Sequence, residues 1–170
     1  MTEMAIRRAT IADRDEVIRI RALSGWAAYE AIDIETAAAQ DSPFWFPQSN
    51  KDLGDPGSSA HVVVAAGAVL AIFGFEIEEG DGGDKVGRLS GIYVDPQQQN
   101  RGVGTKIVQF VLDAFRAAGC SGAYLFVREK NRGARAFYSR RGWRPDGKTK
   151  TVKNSVELTG ARAFRYTIEL

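Results

Sequence analysis

The sequence contains one cysteine, Cys120, and one histidine, His61, among its 170 residues. A single cysteine excludes an intramolecular disulfide, and the pair cannot form the His/Cys clusters that bind zinc. These scarcities favour a metal-free protein of a reducing compartment such as the cytoplasm.

Long apolar runs are also missing. The longest, Val62 to Phe75, is shorter than the roughly 20 residues of a membrane-spanning helix and is better explained as two short strands about a turn. Charged residues, among them Arg7, Arg8 and Asp13, interrupt the N-terminal stretch where a signal peptide would be apolar. We therefore expect a cytoplasmic protein with no membrane partner.

What is present is typical of a globular protein. Hydrophobic residues make up 44% and charged residues 26% of the chain. A chain of this length is large enough for one core and too short for two well-separated ones, so we predict a single domain over residues 1–170.

Charge is distributed unevenly along the chain. Residues 1–85 hold 7 Lys and Arg against 15 Asp and Glu, a net charge of −8, whereas residues 86–170 hold 16 against 6, a net charge of +10. The basic half predicts contact with an anion, either the phosphates of a cofactor or a nucleic acid backbone.

The hydrophobic periodicity predicts an α+β domain with a mixed sheet covered by helices. A strand over Ala5 to Arg8 precedes a helix opened by Thr10 and Asp13, with Val17, Ile20 and Leu23, followed by Trp26 or Ala27, on its apolar face. A second short helix is predicted over 32–42 and an irregular loop over 43–59.

Later elements have clearer boundaries. We predict strands over 61–66, 69–78, 87–94 and 123–127, with a tight turn at Ala66-Gly67. A helix follows residue 104 with Ile107, Val108, Val111, Leu112 and Phe115 on one stripe, and Gly119 ends it. The last helix is predicted over 131–141, ended by Gly142, and a polar loop separates strands at Trp143 and at 164–169.

The segment Gln99 to Gly104 lies between a predicted strand and an amphipathic helix. Gly102 and Gly104 let the backbone approach an anion closely, and the helix start adds favourable partial charge. Arg101 supplies a formal positive charge. A dinucleotide-binding G-x-G-x-x-G motif and a nucleotide-triphosphatase P-loop are both absent. On these residues alone, a helix-start turn that needs glycine for conformational reasons is an equal alternative.

In the last helix, Asn131, Arg135 and Tyr138 share one face because they are spaced i, i+4 and i+7. An amide, a guanidinium and a phenol along one stripe suit a long ligand with phosphate at one end. The alternatives are an N-cap role for Asn131, a solvated Arg135, and a core position for the Tyr138 ring.

Residues 92–104, IYVDPQQQNRGVG, resemble the hallmark of the GNAT acetyltransferase superfamily, [QR]-x-x-G-x-[GA] after a strand that ends in hydrophobic-x-Pro. Residues 125–143, LFVREKNRGARAFYSRRGW, resemble its second motif, and IRRATIADRDEV resembles its first strand and helix. The resemblance covers nearly the whole chain and is thinnest over 35–60 and 146–160, which are the stretches expected to shape an acceptor pocket.

The resemblance implies a mixed, mostly antiparallel central sheet with a splayed strand and about four helices. It also implies acetyl-CoA as cosubstrate, no metal, and transfer of the acetyl group to a primary amine in a ternary complex. The residues assigned to the coenzyme are Ile92, Tyr93, Val94, Gln99, Asn100, Arg101, Gly102, Val103, Gly104, Thr105, Asn131 and Arg135.

For the reaction itself, the resemblance assigns Tyr138 as the acid that serves the departing sulfur and Ile92 N–H as oxyanion donor. Many members of the family carry a glutamate on the splayed strand, but here Ser90 and Gly91 occupy that stretch. Glu76, inside an apolar run on the preceding strand, is the candidate base, and Glu78 shares its face. The alternative is that both carboxylates face solvent.

Two other functions remain as alternatives. A non-catalytic acyl-CoA sensor would keep the loop, although Asn131 and Tyr138 argue against lost chemistry. A nucleic-acid partner is not favoured, because the arginines lie in the acyltransferase motifs without interleaved aromatic residues. The acceptor is expected to be a small molecule rather than a protein, and the acidic first half would suit a cationic one. Homodimers are common in the resembled family.

Overall fold

A computed structural model describes residues 3–30, 59–80, 82–152 and 161–170. The helix predicted over 32–42 and nearly all of the loop predicted over 43–59 lie outside this part of the chain, as do the side chains of Trp26 and Ala27. Among the described helices, none combines the length and apolar composition needed to cross a membrane.

The architecture is a seven-stranded, mostly antiparallel sheet with three described helices, which confirms the predicted α+β class. The strand order is β1-β2-β3-β4-β5-β7-β6. The strands are β1 (Ala5–Arg8), β2 (Ala60–Ala65), β3 (Ala68–Glu79), β4 (Lys85–Val94), β5 (Gly122–Arg128), β6 (Arg144–Val152) and β7 (Ala161–Glu169). The helices are α1 (Arg14–Glu30), α2 (Val103–Ala117) and α3 (Arg132–Ser139).

The chain forms two compact units, a first unit of residues 1–74 and 91–109 and a second unit of residues 75–90 and 110–170. In the first unit, β2 pairs antiparallel with both β1 and β3. The apolar side chains of one sheet face and of α1 form a cluster that includes Val17, Ile20, Val62 and Ile72. Burial of this cluster holds α1 in place, since apolar area removed from water is the main stabilising contribution.

The turn between β2 and β3 is the one predicted. Ala66 and Gly67 have φ angles of 49° and 79°. Positive φ at both central residues is the geometry of a two-residue hairpin turn whose twist matches that of the flanking strands. Glycine supplies this conformation without strain at the second position.

Leu23 of α1 was predicted on the apolar face but is 43% exposed, and Ser24 is buried instead. The helical period explains the error: Ser24 lies about 20° around the helix from Val17, whereas Leu23 lies about 120° away. The polar Ser24 is accommodated on the buried stripe because its hydroxyl donates a 2.7 Å hydrogen bond to the carbonyl of Val94.

In the second unit, β5 pairs antiparallel with β7, and β7 with β6. Alternate residues of β5, namely Ala123, Leu125 and Val127, are buried. Gly87 of β4 permits a close approach, because a Cβ at this position would lie 2.4 Å from the ring of Phe115. The sheet therefore needs glycine where this phenylalanine crosses it.

Helix α2 confirms its predicted apolar stripe, because all five predicted residues are buried. Its C-terminus is closed by Gly119 at φ 79°, with Gly119 N–H donating to Arg116 O and Cys120 N–H donating to Phe115 O. These two hydrogen bonds form a Schellman motif, in which a left-handed glycine ends the helix.

The loop predicted after Trp143 is partly wrong, because residues 144–152 form β6. This strand lies at the end of the sheet order, and residues 144–151 are exposed. An edge strand of this kind shows no apolar alternation, and Pro145 and Gly147 within it are typical of edges. Pairing with β7 across a bulge between Pro145 and Thr149 forms the strand without a sequence signal.

Candidate active site

The loop Gln99 to Gly104 belongs to the first unit and connects β4 to α2. A 3-10 turn over Pro96–Gln98 precedes it, and helix α2 begins at Val103. Asn100 has a φ of 61° and Gly102 a φ of 82°, so the backbone passes twice through the left-handed region. A Cβ at Gly102 would have nothing within 4 Å, which leaves the space above it open.

The start of α2 has buried apolar residues on one side and exposed residues on the other. Val103 and Ile107 are buried, whereas Gln99, Asn100, Arg101, Gly102 and Thr105 are exposed and Gly104 is half-buried. Lys106 N–H donates to Gly102 O at 3.0 Å, which makes Gly102 the N-cap. This N-cap has no side-chain acceptor for the first helical N–H groups, and the first turn contains no acidic residue. Such a start is suited to an external anion.

The C-terminal end of β4 holds Ile92, Tyr93 and Val94, all half-buried. The parallel ladder joins Val86–Leu89 to Gly122–Leu125, whereas β4 itself continues to Val94. The assigned Ile92 and Val94 therefore lie beyond the stretch that this ladder pairs. The ring of Tyr93 lies under the Arg21 guanidinium at 5.4 Å and folds against Gly91, where a Cβ would meet it at 3.2 Å.

Helix α3, in the second unit, carries the predicted stripe. Asn131 is the N-cap, and its Oδ1 accepts from Ala134 N–H at 3.0 Å. Arg135 Nε donates to the Tyr166 hydroxyl at 3.2 Å, and Arg135 Nη1 donates to Glu129 O at 3.1 Å. The Arg135 guanidinium also lies 4.9 Å from the centroid of the Phe164 ring. Arg135 is thus half-buried and held by protein partners.

Tyr138 lies two turns along the same helix face and is only 8% exposed. Its ring makes edge contacts with Phe137 at 5.1 Å and with Trp143 at 6.0 Å between centroids. Trp143 is fully buried. The phenol ring is thus part of the aromatic core of the second unit, and packing limits its orientation.

Glu76 and Glu78, on β3 in the second unit, share a partner on β4. Arg88 Nη1 lies 3.2 Å from a Glu76 carboxylate oxygen and 3.3 Å from one of Glu78. The Glu76 side chain is 45% exposed. The Tyr124 hydroxyl donates to Glu78 at 2.6 Å, and burial together with this hydrogen bond and the Glu78 charge raises the pKa of Tyr124.

The structure thus groups the assigned residues by unit. The strand-end and loop residues are together in the first unit: Ile92, Tyr93, Val94, Gln99, Asn100, Arg101, Gly102, Val103, Gly104 and Thr105. The second unit holds Glu76, Asn131, Arg135 and Tyr138. Across the described ranges, no group of three or more His, Cys, Asp or Glu residues is arranged to hold a metal ion.

One residue beside the loop was missed from the sequence. Asp95 is buried and caps the 3-10 turn, accepting a hydrogen bond from Gln97 N–H at 2.9 Å. Its position before Pro96 was the available signal, because an aspartate followed by proline is typical of an N-cap and first helical residue.

Three comparisons with known proteins bear on these features. The model of the acetyltransferase (GNAT) family matches residues 26–143. A mycothiol acetyltransferase of Beutenbergia cavernae is 28% identical over 129 residues, which are 75% of this chain and 39% of that protein. The chain thus spans well under half of this relative's length.

Solved structures show the same fold. The PaiA N-acetyltransferase of Thermoplasma acidophilum, in complex with coenzyme A, superimposes with a TM-score of 0.74 at 14% identity, over 99% of each chain. A Drosophila melanogaster polyamine N-acetyltransferase that forms N-acetylagmatine gives a TM-score of 0.66 at 10% identity, over 99% of this chain and 100% of its own. With a family match over most of its length and this fold, the chain belongs to the acetyltransferase (GNAT) family.

Proposed function

We propose that this protein is an N-acetyltransferase that transfers the acetyl group of acetyl-CoA to a primary amine in a ternary complex. The observation that carries the proposal is the start of α2, where a left-handed Gly102 caps the helix without a side chain and faces open space. Membership of the family supports the acetyl donor, and the coenzyme A complex of the PaiA relative supports its identity.

In this proposal the loop binds the diphosphate of acetyl-CoA through backbone N–H groups. The partial positive charge of the helix start favours the anion, and burial of Val103 fixes the direction of these groups. Arg101 is exposed and its Nη1 donates a long hydrogen bond of 3.4 Å to Gln98 Oε1, so its guanidinium can turn toward a phosphate at little cost. Ile92 and Val94 would contact the acyl and pantetheine part through the backbone.

The reaction forms one bond and breaks another. The lone pair of the amine attacks the thioester carbonyl carbon, the carbon–sulfur bond breaks, and sulfur leaves with the electron pair while the nitrogen loses a proton. Ile92 N–H is proposed to stabilise the charge on the carbonyl oxygen. Tyr138 is proposed to donate a hydrogen bond or a proton to the sulfur, and its aromatic neighbours keep the phenol in one place.

The strength of the acid limits what this phenol does. An ordinary phenol is a weaker acid than a thiol by about 1.5 pKa units, so full proton transfer to a thiolate is uphill by about 2 kcal/mol. A hydrogen bond that strengthens as charge develops on sulfur is sufficient for catalysis.

Glu76 is proposed as the base that accepts the amine proton, with Glu78 as the alternative. Its ion pair with Arg88 is exposed, and such pairs are weak enough to open when an amine approaches. Glu76→Gln should lower kcat/KM and remove the limb of its pH profile that reports the base, while Glu79→Gln, an exposed neighbour on β3, serves as control. An unchanged pH profile in Glu76→Gln would exclude this role.

The decisive experiment is a thiol-release assay with acetyl-CoA and a panel of amines that includes polyamines, amino acids and peptides. We expect release of coenzyme A that depends on one class of amine and matches the acetylated product in amount. A cationic small molecule is the expected class, since residues 1–85 are acidic. Binding of acetyl-CoA without release by any amine would favour a non-catalytic acyl-CoA sensor.

A further inference from the structure

The last two residues of β4 and the residue that follows them are each held by a different side chain of α1, all within the first unit. The pairs are Tyr93 with Arg21 at 5.4 Å between guanidinium and ring centroid, Val94 O with Ser24 Oγ at 2.7 Å, and Asp95 Oδ2 with Arg19 Nη2 at 2.8 Å. Helix α1 thus determines where the strand ends, just before the loop proposed to bind diphosphate.

Asp95 is the centre of this arrangement and is 4% exposed. Its carboxylate accepts from Gln97 N–H at 2.9 Å and from Arg19 at 2.8 Å. Its own N–H donates to Leu70 O at 2.9 Å, and its carbonyl accepts from Gln98 N–H at 2.7 Å. One residue therefore links β3, α1 and the 3-10 turn that leads into the loop.

The Arg19 partner is itself oriented. Its Nε and Nη2 donate to Glu16 Oε2 at 3.0 and 2.8 Å, one turn earlier on α1. Burial alone would raise the pKa of Asp95, but the Gln97 N–H bond, the Arg19 hydrogen bond and the Arg19 charge together outweigh burial and lower this pKa. Asp95 is therefore a charged, buried carboxylate at neutral pH, and such a group keeps its partners in place.

We infer that Asp95, oriented by Arg19, is a positioning residue for the coenzyme A loop. Its carboxylate fixes the turn Pro96–Gln98, and the direction of that turn sets the path of residues 99–104, where two residues already adopt left-handed φ. Backbone N–H groups bind an anion well only when they point at the same place. A turn without a fixed conformation would therefore lower the affinity for coenzyme A, even though every group that contacts the ligand is still present. The inference rests on the proposed function.

The test compares Asp95→Asn and Arg19→Gln with the unaltered protein by calorimetric titration of coenzyme A and by steady-state kinetics. Asparagine keeps an oxygen for Gln97 N–H but removes the charge and places an amide against Arg19. We expect the Kd for coenzyme A and the KM for acetyl-CoA to rise about tenfold in each variant, with kcat within about twofold, since a tenfold change is close to the smallest effect expected for the loss of one charged hydrogen bond. The double variant should lose no more than either single one.

Asp113→Asn is the matched control, because it breaks an exposed pair with Arg116 three residues away on α2. It should leave both constants unchanged. If Asp95→Asn fails to fold, Arg19→Gln still decides, since the Arg19 side chain is 40% exposed. Unaltered protein that does not bind coenzyme A would overturn the proposed function and this inference with it. Normal binding by the unaltered protein and by both variants, or a loss confined to kcat, would overturn the inference alone.

Discussion

The starts of helices α2 and α3 differ in what occupies the N-cap. At α2 the N-cap is Gly102, which has no side chain and a φ of 82°. At α3 the N-cap is Asn131, whose amide oxygen accepts from Ala134 N–H at 3.0 Å. When the N-cap residue has no side-chain acceptor, the free N–H groups and the partial positive charge of the helix start can interact with an external anion. When the N-cap side chain accepts a hydrogen bond, one of these N–H groups is already paired within the protein.

The two regions should therefore respond to different changes. The loop before α2 is proposed to bind the coenzyme through backbone N–H groups, so altered backbone conformation should lower its affinity more than loss of an exposed side chain. The stripe on α3 is proposed to act through side-chain atoms, and Arg135 already has protein partners in Tyr166 and Glu129. Removal of one polar atom should be the damaging change there.

Tyr138→Phe should have the largest effect. The ring contacts with Phe137 and Trp143 remain, so folding should be preserved while the hydroxyl is lost. We expect kcat to fall about 100-fold, typical of a lost acid, with KM for acetyl-CoA within about twofold. Thiol release measures the rate, and an unchanged melting temperature is the control. Undiminished turnover would reduce the stripe to a structural role.

The start of α1 shows how much stability a charged side chain can contribute at a helix start. Arg7 donates two hydrogen bonds, of 2.7 and 2.8 Å, to Asp13, which also accepts from Thr10 N–H at 2.8 Å. The Arg7 bonds are the main cause that lowers the pKa of Asp13 from 3.8 to about 2, against the opposing effect of burial.

Because this pKa is lower in the folded state, the stabilisation is fully present above about pH 4 and is lost as pH falls toward 2. We expect a loss of about 2 kcal/mol in the free energy of unfolding over that window. Urea unfolding between pH 5 and 2 measures it, and Asp13→Asn should be less stable at pH 5 and show a flatter dependence. An equally steep dependence in Asp13→Asn would place the acid sensitivity elsewhere.

Gly102→Ala tests the loop through its backbone alone. A left-handed φ costs an alanine about 1–2 kcal/mol, which the loop can relieve only by moving its N–H groups. We expect the Kd for coenzyme A to rise about tenfold, equal to about 1.4 kcal/mol. Gly147→Ala is the matched control, because Gly147 has a φ of 84° and equally open surroundings on β6. An equal change in Kd for both variants would refute a role specific to the loop.

Substitutions of Asn131 should have the smallest effect, and they separate its role as the N-cap of α3 from its proposed contact with the coenzyme. Asn131→Ala should cost about 1 kcal/mol of stability through the lost cap, whereas Asn131→Ser retains a capping oxygen and should cost little. Chemical denaturation measures this difference. If Asn131 also contacts the coenzyme, the serine variant will be stable but will have a raised KM for acetyl-CoA. Unaltered kinetics in both variants would leave Asn131 as a cap alone.

Sequence-based prediction succeeded where one short segment decides its own structure. The turn at Ala66-Gly67, the stripe of α2 and the glycine end of that helix depend on local conformation and on a 3.6-residue period. It failed at β6, where pairing with β7, a partner distant in sequence, makes the strand. It also failed at Leu23, because the helical period places Ser24 on the buried face, where Val94 O accepts the hydrogen bond of its hydroxyl.

The same division applies to the functional residues. By itself, the amino-acid sequence determined the family, the glycine-containing loop at Gln99 to Gly104 and the spacing that places Asn131, Arg135 and Tyr138 on one helix face, because glycine conformation and helical period are local properties. Only the tertiary structure decided that Arg88 pairs with Glu76, that Arg135 is held by Tyr166, and that Arg19 holds Asp95 from 76 residues away. Ion pairs and hydrogen bonds of this kind depend on which side chains folding brings together, and no local pattern specifies them.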